Sequence, residues 1–297
     1  VSRHVVETAR AVFSGQRAVR LEPGALPALC AQAPEAGATP QTAPQTAPQT
    51  TDDRGTALAL LFGPVNHCFF TAQGEPYRPH GAAPGGSAAL RRAMAEAAVD
   101  WTDLRAVADL PIGRWRTLVG GPLYDTDGRH ARLTGFARHL LARGLDRTTD
   151  ALAAMPTAET LLLGLVDSGV FADPFLKRAQ STVFDVSQLA EARTGRHLDG
   201  IEELTLLADY RLIQLFLHAG VIVVESAALN RRILERRPLA ADAPETLALR
   251  AAVVLCGGFL EGGFPALWDK RLWSLAKLLE ADGALRVPPV LVLTDQF

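Results

Sequence analysis

Two short runs hold the residue types that do electrostatic and acid-base work: Lys177-Arg178-Ala179-Gln180 and Ala208-Asp209-Tyr210-Arg211. A carboxylate such as Asp209 can stabilise a developing cation or take a proton from water. A lysine such as Lys177 can hold a nearby carboxylate ionised, donate to a developing anion, or attack an electrophilic carbon as a free amine. The plain alternative is an ordinary structural ion pair between them. Asp199 is a second candidate carboxylate, although Asp199-Gly200-Ile201-Glu202 also reads as a helix N-cap with Glu202 reaching back in a capping box. Asp173 and Asp185 flank the lysine and read as capping or solvated groups. The 7 histidines form no HxxxH or HExxH pattern, so neither a metal nor any other cofactor is expected.

Composition narrows the partners. The 30 basic and 32 acidic residues give a formal charge of -2, which lacks the positive field that holds a nucleic-acid backbone. A small-molecule substrate is expected, with no stable nucleic-acid complex; the oligomeric state is open. Cys30, Cys68 and Cys256 are widely spaced, which predicts neither a disulfide framework nor a cysteine zinc site and fits a reducing cytoplasm. The opening Val1-Ser2-Arg3-His4 carries no signal-peptide apolar region, and no apolar run approaches the roughly 20 residues of a bilayer span. A soluble cytoplasmic protein without membrane attachment is the expectation.

The elements that must position these residues read as helices. Ser87 is a candidate N-cap for a helix with Leu90, Met94, Ala97 and Ala98 on one face. A second helix is predicted from about Arg132 to Arg143, with Gly144 as its stop. Thr157 should cap Glu159 to Val166, Asp199 should cap a helix from Ile201 onward, and Pro244 should open another. Leu58 to Phe62 is too short for periodicity to separate strand from helix. The Pro/Gln/Thr-rich stretch 38–53 reads as a disordered insert, too poor in apolar bulk to offset its ordering entropy. No GxGxxG or GxxxxGK[ST] appears. The fold class expected is mainly α, a compact helical protein with at most a small β element, in one domain over 1–297 with room for two helical lobes.

The runs Lys177-Arg178-Ala179-Gln180, Asp199-Gly200-Ile201 with Leu204-Thr205, and Ala208-Asp209-Tyr210-Arg211 resemble, in order, the motifs of the queuosine salvage protein family. These are the queuosine 5′-phosphate N-glycosylases. Asn66-His67-Cys68-Phe69-Phe70 is similar to the family's N-F-x-F-W segment, and Asp269-Lys270-Arg271-Leu272-Trp273 to its D-x-x-L-W. The chain departs from the pattern at His67, at Phe70 in place of tryptophan, and at Ile213 in place of proline.

The resemblance implies a helical fold related to the helix-hairpin-helix DNA glycosylases and hydrolysis of the bond between queuine and ribose 5-phosphate. Such cleavage passes through an oxocarbenium-like sugar, which a carboxylate near C1′ stabilises. Queuine has carbon where a purine has N7, so the leaving ring offers no proton site there and the sugar side carries more of the load. Asp209 is the first candidate for that work. Lys177 has three candidate roles: donor to the leaving ring, charge partner of Asp209, or, least favoured, Schiff-base former. Asn66, His67, Phe69, Phe70 and Trp273 would wall the base pocket, unless the aromatics are plain core. Asp269 would meet the queuine side-chain amine or cap its helix. Tyr210 and Arg211 should begin a helix, with Arg211 turned to substrate or to a structural partner. Arg178, His67 and His80 are candidates for the 5′-phosphate. A nucleic-acid base glycosylase and a non-catalytic queuine carrier are the rival readings.

Overall fold

The computed structural model describes residues 2–35, 52–79 and 85–296. Those residues form α1 (Ser2–Ser14), β1 (Val19–Leu21), α2 (Leu26–Cys30), α3 (Asp53–Phe62), α4 (Gly86–Glu96), α5 (Leu104–Ala108), α6 (Ile112–Val119) and α7 (Thr126–Ala142). They continue as α8 (Thr148–Ala154), α9 (Ala158–Asp167), α10 (Lys177–Thr194), α11 (Tyr210–His218), β2 (Ile222–Val224), α12 (Ala227–Leu234), α13 (Pro244–Cys256) and α14 (Pro265–Ala281). The class is therefore mainly α, and β1 and β2 form a small antiparallel pair that sets Val19 opposite Val224.

Contacts divide the chain into two compact units. One joins the described parts of Val1–Ala43 to Glu202–Asp295, and the other comprises the described parts of Pro44–Ile201. In the first unit, α13 starts with Pro244, whose fixed φ suits the first helical turn. Ala248, Leu249, Ala251, Ala252 and Val253 are buried along α13, and α1 packs against it with Val5 and Ala9 fully buried. Small side chains on both helices let their backbones approach closely.

In the second unit, α3 packs against α10 and runs directly into a 3-10 turn over Gly63–Val65. The 58–62 run, undecided between strand and helix from sequence, lies in α3. Asp52 caps α3 by accepting the Gly55 N–H at 2.8 Å. The expected insert 38–53 falls outside the described residues up to position 51, while Asp52 and Asp53 at its end belong to the helix start because aspartate is a strong N-cap.

Other boundaries move by local chemistry. α4 starts at Gly86 with Gly85 as N-cap, which puts Ser87 inside the helix. α7 begins at Thr126, ahead of the expected Arg132 start, and Gly144 follows its end at φ +77. Thr157 caps α9 as expected, accepting from Thr160 N at 3.2 Å. The helix expected from Ile201 onward is corrected. Ile201–Glu203 is only a 3-10 turn, and Leu204 to Asp209 has no regular structure before α11 begins. The leucines at 204, 206 and 207 are all buried, a pattern that a single helix face does not satisfy.

Candidate active site

Lys177 is the first residue of α10, and its approach is tightly determined. Asp173 accepts the Phe175 N–H at 3.3 Å with Oδ1 and the Lys177 N–H at 2.7 Å with Oδ2. Asp173 thus takes the capping role expected of it. Leu176, immediately before the lysine, sits at φ +52, a left-handed conformation that costs a branched residue about 1–3 kcal/mol. Lys177 itself is 7% exposed. A cation there stands at the positive end of the helix dipole and out of water, both unfavourable for its charge.

The rest of that run holds the loops around it. Arg178 is buried and donates to Pro64 O at 3.1 Å and Val170 O at 2.7 Å. Gln180 donates to Phe175 O at 2.9 Å. Asn66 donates to Ser181 Oγ at 3.4 Å, so the Asn66–Phe70 segment is docked on α10.

His67 is buried, with its Nε2 3.1 Å from Arg132 Nη2 and 3.8 Å from Asp125 Oδ2. Burial, then the positive charges of Arg129, Arg178, Arg132 and Lys177, push its pKa well below 6.5. It is therefore neutral at neutral pH. Arg129, fully buried, donates to His67 O at 2.5 Å, Cys68 O at 2.8 Å and Tyr124 O at 3.0 Å, and also to Val65 O. Burial lowers its pKa to about 9. Sequence reading missed Arg129, Arg132 and Asp125, because nothing in the order of residues along α7 marks an arginine that turns inward. Phe69 stacks near Phe62 with ring centroids 6.3 Å apart, and Phe69 and Phe70 are 7% and 5% exposed. Both belong to the packed interior of this unit.

The other acids of this unit sit differently. Asp185 pairs with Arg91 at 2.6 Å. Asp199 lies at the surface, 79% exposed, with Arg196 at 3.6 Å. His80 lies outside the described residues.

Asp209 belongs to the other unit and is the N-cap of α11. Its Oδ1 accepts the Arg211 and Leu212 N–H groups, each at 2.9 Å. Among the described residues Oδ2 has no hydrogen-bond partner, and the residue is half-buried. One oxygen thus fixes the carboxylate while the other makes no hydrogen bond among the described residues, and an acid at a helix N-terminus is matched to the dipole.

Arg211 turns to Glu280 on α14 at 2.7 Å, and Lys277 lies 3.4 Å from the same carboxylate. Burial works against the Glu280 anion, yet Arg211 and Lys277 outweigh it and hold the carboxyl below its usual range. Burial, helped by Arg211, lowers the Lys277 pKa. Its ammonium stands 5.6 Å from the centre of the half-buried Trp273 ring. Asp269 is buried within α14, not at its cap, and accepts the Leu207 N–H at 2.9 Å. Arg250 on α13, fully buried, donates to Ala208 O at 3.2 Å. Sequence reading missed Arg250, Lys277 and Glu280, since α13 and α14 lie far along the chain from Asp209.

These features define a mainly α protein whose candidate polar chemistry stands at helix N-termini. Among the described residues no group of His, Cys, Asp and Glu side chains is arranged to hold a metal ion, and no helix is long and apolar enough to cross a membrane. Residues 167–262, which include Lys177 and Asp209, match the model of the queuosine salvage protein family. Over 280 residues the chain is 31% identical to a Sphaerobacter thermophilus protein named queuosine 5′-phosphate N-glycosylase/hydrolase, covering 85% of this chain and 81% of the relative. This chain belongs to the queuosine salvage protein family.

Proposed function

We propose that this protein hydrolyses the N-glycosidic bond of queuosine 5′-phosphate, releasing queuine and ribose 5-phosphate. Family membership and the relative's name supply the substrate. The observation that carries the chemistry is Asp209, anchored through Oδ1 and presenting Oδ2 without a protein partner among the described residues. As the bond from C1′ to the ring nitrogen breaks, its electron pair leaves with the ring and positive charge grows on the sugar. Asp209 Oδ2 stabilises that charge and takes a proton from the water whose oxygen bonds C1′. The departing ring nitrogen takes a proton from solvent and Asp209 gives its own up to solvent, so that one water is consumed in all.

Lys177 acts in the reaction as an electrostatic group, not as a nucleophile. Its burial at the first turn of α10 puts its charge in a low-dielectric setting, and that supports a role in the reaction. No covalent step is needed, and borohydride should trap nothing. Trp273 is the best placed of the proposed base-binding aromatics, because it is half-buried where Phe69 and Phe70 are interior. Asn66, His67 and Arg178 act within their own unit through the contacts described above, and Arg211 and Asp269 within theirs, with Tyr210 at the start of α11. The substrate is a small molecule, and a reducing cytoplasm suits Cys30, Cys68 and Cys256, none of which is in a disulfide.

Incubation with queuosine 5′-phosphate and chromatography of the products tests the reading. Free queuine in step with ribose 5-phosphate is expected. Tight binding without turnover would instead show a carrier, and base release from intact tRNA or damaged duplex, but not from the mononucleotide, would show a nucleic-acid glycosylase.

A further inference from the structure

We infer that Arg250 is a positioning residue for Asp209, acting with Asp269 through the main chain between them. The inference rests on the proposed hydrolysis.

The stretch Leu206-Leu207-Ala208 is buried yet belongs to no helix or strand, so its peptide groups need partners from elsewhere. Two distant helices supply them. Asp269 on α14 accepts the Leu207 N–H at 2.9 Å, and Arg250 on α13 donates to Ala208 O at 3.2 Å. The Asp209 N–H turns back to Leu207 O at 2.7 Å.

The peptide that joins Ala208 to Asp209 is therefore held at both ends, its C=O by Arg250 and its N–H by Leu207 O. Because a peptide unit is planar, fixing both groups fixes its plane, and that plane is the reference for the Asp209 φ of -102°. With the side chain tied to Arg211 N and Leu212 N, the direction of Oδ2 follows. Asp269 fixes the Leu206–Leu207 peptide, two units earlier, through its Leu207 N–H. Deleting the guanidinium releases one end of the plane and lets the carboxylate swing. Loss of a supporting contact of this kind costs about 10- to 100-fold in rate.

The test compares wild type, Arg250→Met and Arg250→Lys, each also combined with Asp209→Asn, under single-turnover conditions with excess enzyme and queuosine 5′-phosphate. All assays run well below each variant's measured Tm. Arg250→Met is expected to lower the rate of queuine release about 10- to 100-fold with half-saturation within about 2-fold of wild type. Arg250→Lys, which restores a donor, should recover part of that rate. In the Asp209→Asn background, Arg250→Met should cost less than about 3-fold, because the group being aimed is already disabled. An undiminished loss in that background, a loss only in half-saturation, or no loss at all would overturn the inference. If Arg250→Met does not fold, Arg250→Lys alone decides: a rate equal to wild type, or a loss undiminished with Asp209→Asn, counts against positioning. Wild type that releases no queuine sinks the functional reading instead, and the two failures are thereby told apart.

Discussion

The two candidate groups of this protein both stand at helix N-termini, and they stand there in opposite ways. Asp209 obeys the rules of a helix start: an acid at the N-cap, its oxygen on two free N–H groups, its charge matched to the dipole. Lys177 breaks them. It is a buried cation at the positive end of α10, its own N–H is capped by Asp173, and a left-handed Leu176 precedes it. A charge matched to its helix terminus can be kept for structure alone, whereas a buried charge at the unmatched terminus has to be compensated by the groups around it. The contrast makes different demands on stability and on rate, and so it can be broken by measurement.

The largest effect belongs to Asp209. Asp209→Ala should lower kcat at least about 1000-fold, the scale of losing an electrostatic group at a charged transition state, and should also cost about 1 kcal/mol of stability through the lost cap. Asp209→Asn keeps an N-cap acceptor but not the charge. Its unfolding free energy in urea should stay within a few tenths of a kcal/mol of wild type while the rate falls nearly as far. If Asp209→Asn keeps both, the carboxylate is merely a cap.

Lys177→Met should lower kcat/KM about 100-fold, since the ammonium is lost while a side chain of similar bulk keeps the packing. Rate and denaturant midpoint are to be measured on the same preparation. A variant that loses stability as well as rate would make Lys177 a structural ion-pair member and erase the contrast with Asp209.

His67 sharpens the comparison within the lysine's own unit. Its folded pKa lies well below 6.5, so in the window beneath 6.5 the unfolded chain binds a proton that the folded chain resists. Stability is therefore complete above pH 6.5 and falls as pH drops toward the folded value, by at most about 1.4 kcal/mol per pH unit from this group. His67→Phe, the residue type of the family motif that Asn66-His67-Cys68-Phe69-Phe70 resembles, should flatten the difference in Tm between pH 7.5 and 5.5 relative to wild type. An unchanged pH slope would mean that His67 is protonated in the folded protein.

What could be read from the sequence divides along the same line. Helices announced by local chemistry were legible: Thr157 before α9, Pro244 opening α13, and the start of α11 at Tyr210. The Ile201 helix was not, because Asp199-Gly200-Ile201-Glu202 has the spacing of a capping box while the following leucines are buried on more than one face. The candidates for chemistry could be named from their motifs, but those that hold them could not. Arg129 closes on main-chain carbonyls of the 65–68 stretch and Arg250 on Ala208, and a side chain that binds a distant carbonyl leaves no periodicity or spacing in the chain. Phe69 and Phe70, for which the sequence left pocket wall and plain core both open, are 7% and 5% exposed in the structure.

Asp199 gives the smallest expected effect and the cleanest control on Asp209. The two carboxylates were rivals in sequence, each followed by an apolar run. In the structure Asp199 has neither cap nor enclosure: it is 79% exposed and its partner Arg196, equally exposed, stands 3.6 Å away. An ion pair so open to water gains little, since solvent and salt screen both charges. Asp199→Ala should therefore keep kcat within about 2-fold and leave the urea midpoint unchanged, at low and high salt alike. A loss of rate approaching that of Asp209→Asn would show that exposure does not decide between these two acids, and that the capped carboxylate is not the one that meets the sugar.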